Sequence, residues 1–299
     1  MKKLNFIVLS LFFCMLIACG GRGNNGQGEK YELYYKLETG KTYNQNMAMK
    51  TVMQQDIAGQ KMDMDMNMYF GMSFTVTETK NDRIHVKMGF TSIEMEMATP
   101  MGSFSFSSES ESDANAMMPI DLSKMLKGMK NIGFDMVMTK YGKVEALKGY
   151  DEMIDGVLES FDLSEVQKMQ ARAALAQSFS EEKMIEQMKN MTIYPDYPVS
   201  IGESWTLDAN TNQADLENTY TLKEINENEI VLEVNSDIKN MKIEGGSGML
   251  DGVQQGTTTA HRSSGWIKEA NIKQDVSGTV TMHGMEVSID MKSDVTITE

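Results

Sequence analysis

From Met62 to Val76 the chain alternates without a break. Met62, Met64, Met66, Met68, Phe70, Met72, Phe74 and Val76 fall on one parity, and Asp63, Asp65, Asn67, Tyr69, Gly71, Ser73 and Thr75 fall on the other. A period of two places each set on one face of an extended strand, whereas a helix would scatter both around its axis. The turn "ETKND" follows, and Ile84, Val86, Met88 and Phe90 resume the alternation. Upstream, "NMAMKTVM" and the turn "QDIAGQ" supply a hairpin partner. The pattern predicts antiparallel sheet with one apolar face.

The same arrangement recurs later. "FTVTETKNDRIHVKMGFTSIEMEM" (74–97) aligns without gaps on "YTLKEINENEIVLEVNSDIKNMKI" (220–243), matching Phe74 with Tyr220, Glu78 with Glu224, Ile84 with Ile230 and Met95 with Met241. A Gly-x-x-aromatic corner precedes each segment, "GKTY" at 40 and "GESW" at 202. A glycine-bearing hairpin follows each, "VMTKYGKVEAL" and "AHRSSGWIKEA". Three matches in the same order predict two copies of one β-module.

Between the copies the period changes to that of a helix. Val166, Met169, Ala173 and Ala176 suit one helix, and Met184, Ile185 and Met188 another. Asp162 with Glu165 reads as a capping box, Ser180 before "EEK" as a second helix start, and "YPDYP" as the stop. A shorter helix is predicted at 121–130. "SSESESDANAMMP" and "EGGSGMLDGVQQG" read as loops, one acidic and serine-rich, the other glycine-rich. The predicted fold is therefore mainly β (α+β): two antiparallel meander modules form a curved sheet or half-barrel, with a helical segment between them. The boundaries are an N-terminal module at 31–149, helices at 150–192 and a C-terminal module at 193–299.

The N-terminus carries an address. Lys2 and Lys3 precede an apolar run from Leu4 to Ala18, too short for a membrane span and shaped like the core of a signal peptide. "LIAC" matches the bacterial lipobox, in which cleavage before the cysteine leaves its thiol to carry lipid. Residues 1–18 are thus a predicted lipoprotein signal peptide, Cys19 the lipidation site and 19–30 a Gly/Asn-rich flexible tether. The only other cysteine, Cys14, leaves with the leader, so disulfides, thiol catalysis and cysteine metal sites are excluded from the mature chain.

Charge and composition narrow the partners. The formal charge of −15, less Lys2 and Lys3, becomes −17 for the mature chain, which disfavours nucleic acid. A hydrophobic content of 41% supports a folded core rather than disorder. The anomaly is thirty methionines.

Thioethers bind Cu(I), but alternate residues on one strand lie about 6.5–7 Å apart and parallel, so a site would need a facing strand such as that of Met47, Met49 and Met53. Methionine is otherwise an adaptable apolar filler. Met62, Met64, Met66, Met68, Phe70, Met72 and Phe74 are therefore candidates for lining a ligand cavity, and no metal or other cofactor is expected. "DMDMN" imitates the start of a calcium loop, but Met68 and Phe74 stand where glycine and glutamate belong. His85, His261 and His283 are scattered, and no nucleophile, base and orienter set emerges. Trp205 and Trp266 read as corner or core aromatics.

With its lipobox, "YELYYKLETGKTY", "KMDMDMNM", "SEEKMIEQMKNM" and "YPDYPVSIGESW", the chain resembles a family of Bacteroidota cell-envelope lipoproteins of unknown function, over nearly the whole mature sequence. The architecture also resembles, more weakly, the LolA-type periplasmic carriers, whose curved sheet wraps helices over an apolar cavity. Surface-exported members of that bacterial group carry acids just after the cysteine. "GGRGNN" here is neutral to basic, so the resemblance implies an outer-membrane anchor facing the periplasm.

Two functions are expected from these features. One is a non-enzymatic carrier or sensor of a hydrophobic ligand, a lipid or acyl chain held between curved sheet and helices. The other is an envelope interaction protein that binds a protein partner. Replacing Cys19 with alanine tests the address. Cys19→Ala should abolish incorporation of labelled fatty acid and release the protein from the membrane fraction, and continued incorporation would remove the lipobox reading.

Overall fold

Alternation of apolar and polar residues builds strands wherever one face can be buried, and here it builds a single large sheet. A computed structural model describes residues 29–57, 59–100, 102–110, 122–130, 132–161, 163–178, 181–188, 191–211, 213–243 and 245–299. The predicted signal peptide, Cys19 and most of the predicted tether lie outside the described residues. So do Asp162, Ser180 and most of the acidic serine-rich segment.

The N-terminal half contributes β1 (Lys30–Tyr31), β2 (Thr42–Ile57), β3 (Gln60–Lys80), β4 (Arg83–Thr99), β5 (Gly102–Ser107), β6 (Gly133–Thr139) and β7 (Val144–Lys148), with α1 (Leu122–Lys130) before β6. Three helices follow, α2 (Tyr150–Glu159), α3 (Glu165–Ser178) and α4 (Glu181–Met188). The C-terminal half contributes β8 (Val199–Ser200), β9 (Ser204–Asp208), β10 (Asp215–Ile225), β11 (Glu229–Met241), β12 (Gly246–His261), β13 (Ile267–Met282) and β14 (Met285–Thr298). The main sheet has twelve strands in the order β7-β6-β4-β3-β2-β14-β13-β12-β11-β10-β9, with β5 also on β4. All its pairings are antiparallel. The sheet is curved but not closed into a barrel, because β7 and β9 end it without pairing to each other.

The two halves repeat one another at the level of register. Tyr43 pairs with Phe74 as Trp205 pairs with Tyr220. Beside them, the Thr42 and Thr75 hydroxyls meet at 2.9 Å and those of Ser204 and Thr221 at 2.8 Å. Gly40 N–H donates to Val76 C=O and Gly202 N–H to Leu222 C=O, at φ of 84° and 85°. Each hairpin then carries a bulge at the same place, after Val76 and after Leu222. Lys140 N–H donates to Asp82 C=O, as Arg262 N–H does to Asn228 C=O. The last strand, β14, lies between β13 and β2 and joins the two modules into one sheet.

The seam between β7 and β9 is filled rather than hydrogen-bonded. Phe134, Met136, Val144 and Leu147 from one end share a core with Trp205, Tyr220 and Leu222 from the other. Met153, Ile154 and Leu158 of α2, Met184 and Met188 of α4, and Ile193 and Tyr194 pack into the same core. α4 carries its predicted stripe, with Met184 and Met188 buried and Ile185 half-buried.

Three local expectations differ. The cap of α3 is Ser164, whose N–H and Oγ both bond Gln167 Oε1, at 2.9 and 2.8 Å. The apolar positions Val166 and Met169 of α3 are 61% and 66% exposed. Ala171 and Leu175 pack against the core instead, and Arg172 beside them pairs with Asp151 (2.8 Å) and with Asp155 of α2. The glycine-rich stretch read as a loop is strand β12: Gly252 and Gly256 are needed where β13 comes too close for a side chain. A Cβ there would lie 2.3 Å from Asp275 O and 2.1 Å from Asn271 O.

Candidate binding trough on the inner face

The inward face of the sheet is lined by one parity of each strand, and on six adjacent strands the buried positions of that parity carry no charged residue. On β2 the inward positions run Tyr43 to Ile57 by odd numbers, and on β14 they run Met285 to Ile297. The inward positions are even-numbered on β10 from Leu216 to Leu222, on β11 as far as Ile238, on β12, and on β13 from Ala270, and register shifts leave the even-numbered Glu224 and Lys268 exposed. A polar residue interrupts the apolar run at the same level on each strand. Thr51 stands between Met49 and Met53, Ser293 between Met291 and Val295, and Gln274 between Ile272 and Val276. Gln254, Ser236 and Asn218 occupy the matching places on β12, β11 and β10.

Register turns these six interruptions into a row. Thr51 pairs with Ser293, Ser293 with Gln274, Gln274 with Gln254, Gln254 with Ser236, and Ser236 with Asn218. All six are buried. The Thr51 and Ser293 hydroxyls meet at 2.9 Å, Gln274 Nε2 donates to Gln254 Oε1 at 2.5 Å, and Gln254 Nε2 donates to Ser236 Oγ at 3.4 Å. The row ends at Asn218, which is 0% exposed and whose Nδ2 and Oδ1 both lack a partner. Leaving a buried donor or acceptor unpaired costs about 1–3 kcal/mol, so this amide is the least satisfied point of the inner face.

Above the row, toward the helices, lies a cavity of about 40 Å³. Tyr220, Ile272, Ile297, Thr258 and Gln45 line it from the sheet, and Tyr35, Met191 and Ile193 from the covering segments. It has room for about three waters and not for an acyl chain. Tyr194 closes this region by donating to Gly265 O at 2.6 Å, and Tyr35 reaches Met191 O at 3.5 Å. Burial pushes both phenols well above their usual pKa, with the neighbouring Tyr35 and Tyr220 adding to the effect on Tyr194. Both stay protonated donors at neutral pH.

Below the row the inward residues are apolar and lose their cover toward the β2–β3 and β13–β14 turns. Met62 and Met285 are 40% and 52% exposed there, beside the half-buried Ile57, Met64, Ile243 and Met282. The predicted methionine row is thus divided. Met62 and Met64 stand at this rim, Met66, Met68 and Phe70 are buried in one core cluster, and Phe74 lies in the helix-side core. Met72 packs between the two. None of the seven lines the 40 Å³ cavity. Pairing across strands brings Met49, Met68 and Met95 into one lateral row and Met66 and Met97 into the next.

The other candidate residues are not brought together. His261 Nε2 lies 2.7 Å from Glu299 Oε2, His283 sits in the β13–β14 turn, and His85 is on β4. Trp205 and Trp266 are core residues whose indoles donate to Ile193 O and Asn44 O. Asp63 accepts from Gln54 Nε2 at 2.9 Å on the outer face. Among the described residues, no group of three or more His, Cys, Asp or Glu is placed to hold a metal ion. The polar row itself was missed from sequence. Its signal, a polar residue in the inward parity of each of six strands, acquires meaning only once register aligns the strands.

Fold and site together define a mainly β protein: an incompletely closed antiparallel sheet with a helical cover and an uncharged inner trough. The chain belongs to a family of unknown function (DUF6263), whose model matches residues 81–267, from the β3–β4 turn to the start of β13. No curated protein sequence matches it significantly. Among solved structures it is similar to an outer membrane channel from Pseudomonas putida F1, at 9% identity over 93% of this chain and 99% of that one, with a TM-score of 0.25. It is also similar to OccK2 (OpdF) of Pseudomonas aeruginosa, in complex with glucuronate, at 5% identity over 87% and 98%, again with a TM-score of 0.25. TM-scores this low do not establish a common fold.

The methionines offer a test of sulfur against shape. Replacing Met64, Met66 and Met68 together with leucine keeps apolar volume, and each such swap costs less than about 1.5 kcal/mol. Serine at the two buried positions, Met66 and Met68, should be far more damaging, because each hydroxyl enters an apolar face without a partner. Urea unfolding should therefore separate the two variants clearly, and Cu(I) titration should show no stoichiometric uptake by the wild type. Stoichiometric Cu(I) binding that vanishes in the leucine variant would overturn the packing role.

Proposed function

We propose that this protein is a lipid-anchored, periplasm-facing envelope lipoprotein that binds a hydrophobic ligand in its inner trough and catalyses no reaction. One observation carries the reading: an uncharged, largely apolar inner surface runs from a methionine rim exposed to solvent, past the polar row, to a cavity under the helical cover. Such a surface suits a flexible apolar guest, because methionine side chains repack around irregular shapes. The 40 Å³ cavity is the unfilled remainder of the trough, so an acyl chain enters only when the rim methionines and the cover give way. The seam is suited to that motion, since core packing rather than strand pairing spans it. The finer resemblances, to Bacteroidota envelope lipoproteins and to LolA-type carriers, belong to this reading, and so does anchoring through Cys19 to the outer membrane.

A second reading has its own observation. Val166 and Met169 stand exposed one turn apart on α3, a small apolar face of the kind that docks a protein partner. Native mass spectrometry of full-length protein purified from its own host separates the two. The ligand reading expects a bound apolar small molecule that survives gentle desolvation and is stripped by organic solvent. Protein that arrives with no small-molecule mass, and takes up none from its own membrane lipids, would overturn that reading in favour of the partner.

A further inference from the structure

We propose that the polar row of the trough is a recognition site for an uncharged amphiphile whose polar group, an amide or a hydroxyl, lies between two apolar portions. The inference rests on the ligand reading above and names the chemistry of the ligand. Asn218 carries the argument. Its side chain is 0% exposed, and both its donor, Nδ2, and its acceptor, Oδ1, are unpartnered. The other five members of the row have partners: Thr51 with Ser293, Gln274 with Gln254, and Gln254 with Ser236. A group that completes Asn218 must therefore accept from Nδ2 and donate to Oδ1. A secondary amide or a hydroxyl does both, whereas an ester only accepts.

Charge excludes the common anionic head groups. The six residues of the row and the inward residues two above and two below it include no lysine or arginine, so a carboxylate or phosphate at this level would be buried without a counter-charge. The surroundings fix the rest of the molecule. Two residues above the row stand Met49, Val295, Ile272, Val234 and Tyr220. Two below stand Met53, Met291, Val276, Ile238 and Leu216, all buried. A ligand passing this level presents hydrocarbon on either side of its polar group. Sequence hides this specificity, because a lone asparagine on a half-buried strand has no distinctive pattern.

Three probes of similar length and different polarity test the proposal on full-length protein: N-octyloctanamide, octyl octanoate and hexadecanoate. The wild type should bind the amide about tenfold more tightly than the ester, the scale expected of one further hydrogen bond in a dry site, and hexadecanoate more weakly than the amide. Asn218→Leu removes both unpaired atoms. It should raise the unfolding temperature and bring amide affinity down to that of the ester. Asn218→Ala serves the same purpose if leucine does not fold. Equal affinity for all three probes, or a preference for the amide that survives at residue 218, would overturn the assignment. Wild type that carries an apolar ligand from its host yet shows no amide preference would overturn the recognition site and leave the ligand reading standing.

Discussion

The approach of β13 to β12 is the contact on which the inner face depends. At Gly252 and Gly256 the neighbouring backbone lies where a Cβ would have to be, so the two strands crease toward each other. Glycine inside a strand marks such a bend or close backbone approach, and the sheet as a whole curves into a trough. Met53 of β2 and Leu216 of β10, with four strands between them in the hydrogen-bonded order, share one core cluster. The inward residues of this end cover one another, whereas α1 packs on the Met66–Phe70 cluster and α2, α4 and the 191–199 segment fill the seam. Glycine weakens a strand elsewhere, and here the same absence of a side chain is what lets the sheet close over its own apolar face.

The paired modules explain how so wide a sheet holds its register. A one-residue slip would turn every buried side chain outward, and long strands such as β3 and β4 offer many chances to slip. Each module pins its hairpin at three points: the glycine corner at Gly40 or Gly202, the matched bulge after Val76 or Leu222, and the backbone bond from Lys140 or Arg262 to the turn below. These pins lie at the helix-side end, where both copies feed Phe74, Val76 and Ile84, or Tyr220, Leu222 and Ile230, into the same core. The opposite end has a bulge between Ile238 and Met241 and a backbone bond from Lys242 N–H to Gln213 C=O, and there the inward methionines reach solvent.

Much of this was legible in the residues themselves. The parity of Met66, Met68, Phe70, Phe74 and Val76 predicted a strand and its buried face, because alternation is a local property of the backbone. The echo between 74–97 and 220–243 predicted matched hairpins for the same reason. What escaped were features created by tertiary contact. The stripe of Val166 and Met169 pointed to the core, but α3 packs through Ala171 and Leu175 and leaves that stripe exposed. Gly252 and Gly256 looked like loop residues because their requirement comes from the strand beside them. Asn218 and its five partners looked like ordinary strand residues until pairing set them in a line.

Together these features make the trough a surface of two chemistries, apolar along its length and hydrogen-bonding at one level. Methionine suits the first part, since its packing tolerates guests of uneven shape, and the uncharged amides suit the second. The most direct measurement is a crystal structure of the protein purified from its own host's membranes, without added lipid. The account predicts ligand density along the inner face of β10–β14, with a polar atom within about 3.2 Å of both Nδ2 and Oδ1 of Asn218. An Asn218 amide met only by protein atoms or by isolated waters, in a trough filled by its own side chains, would contradict it.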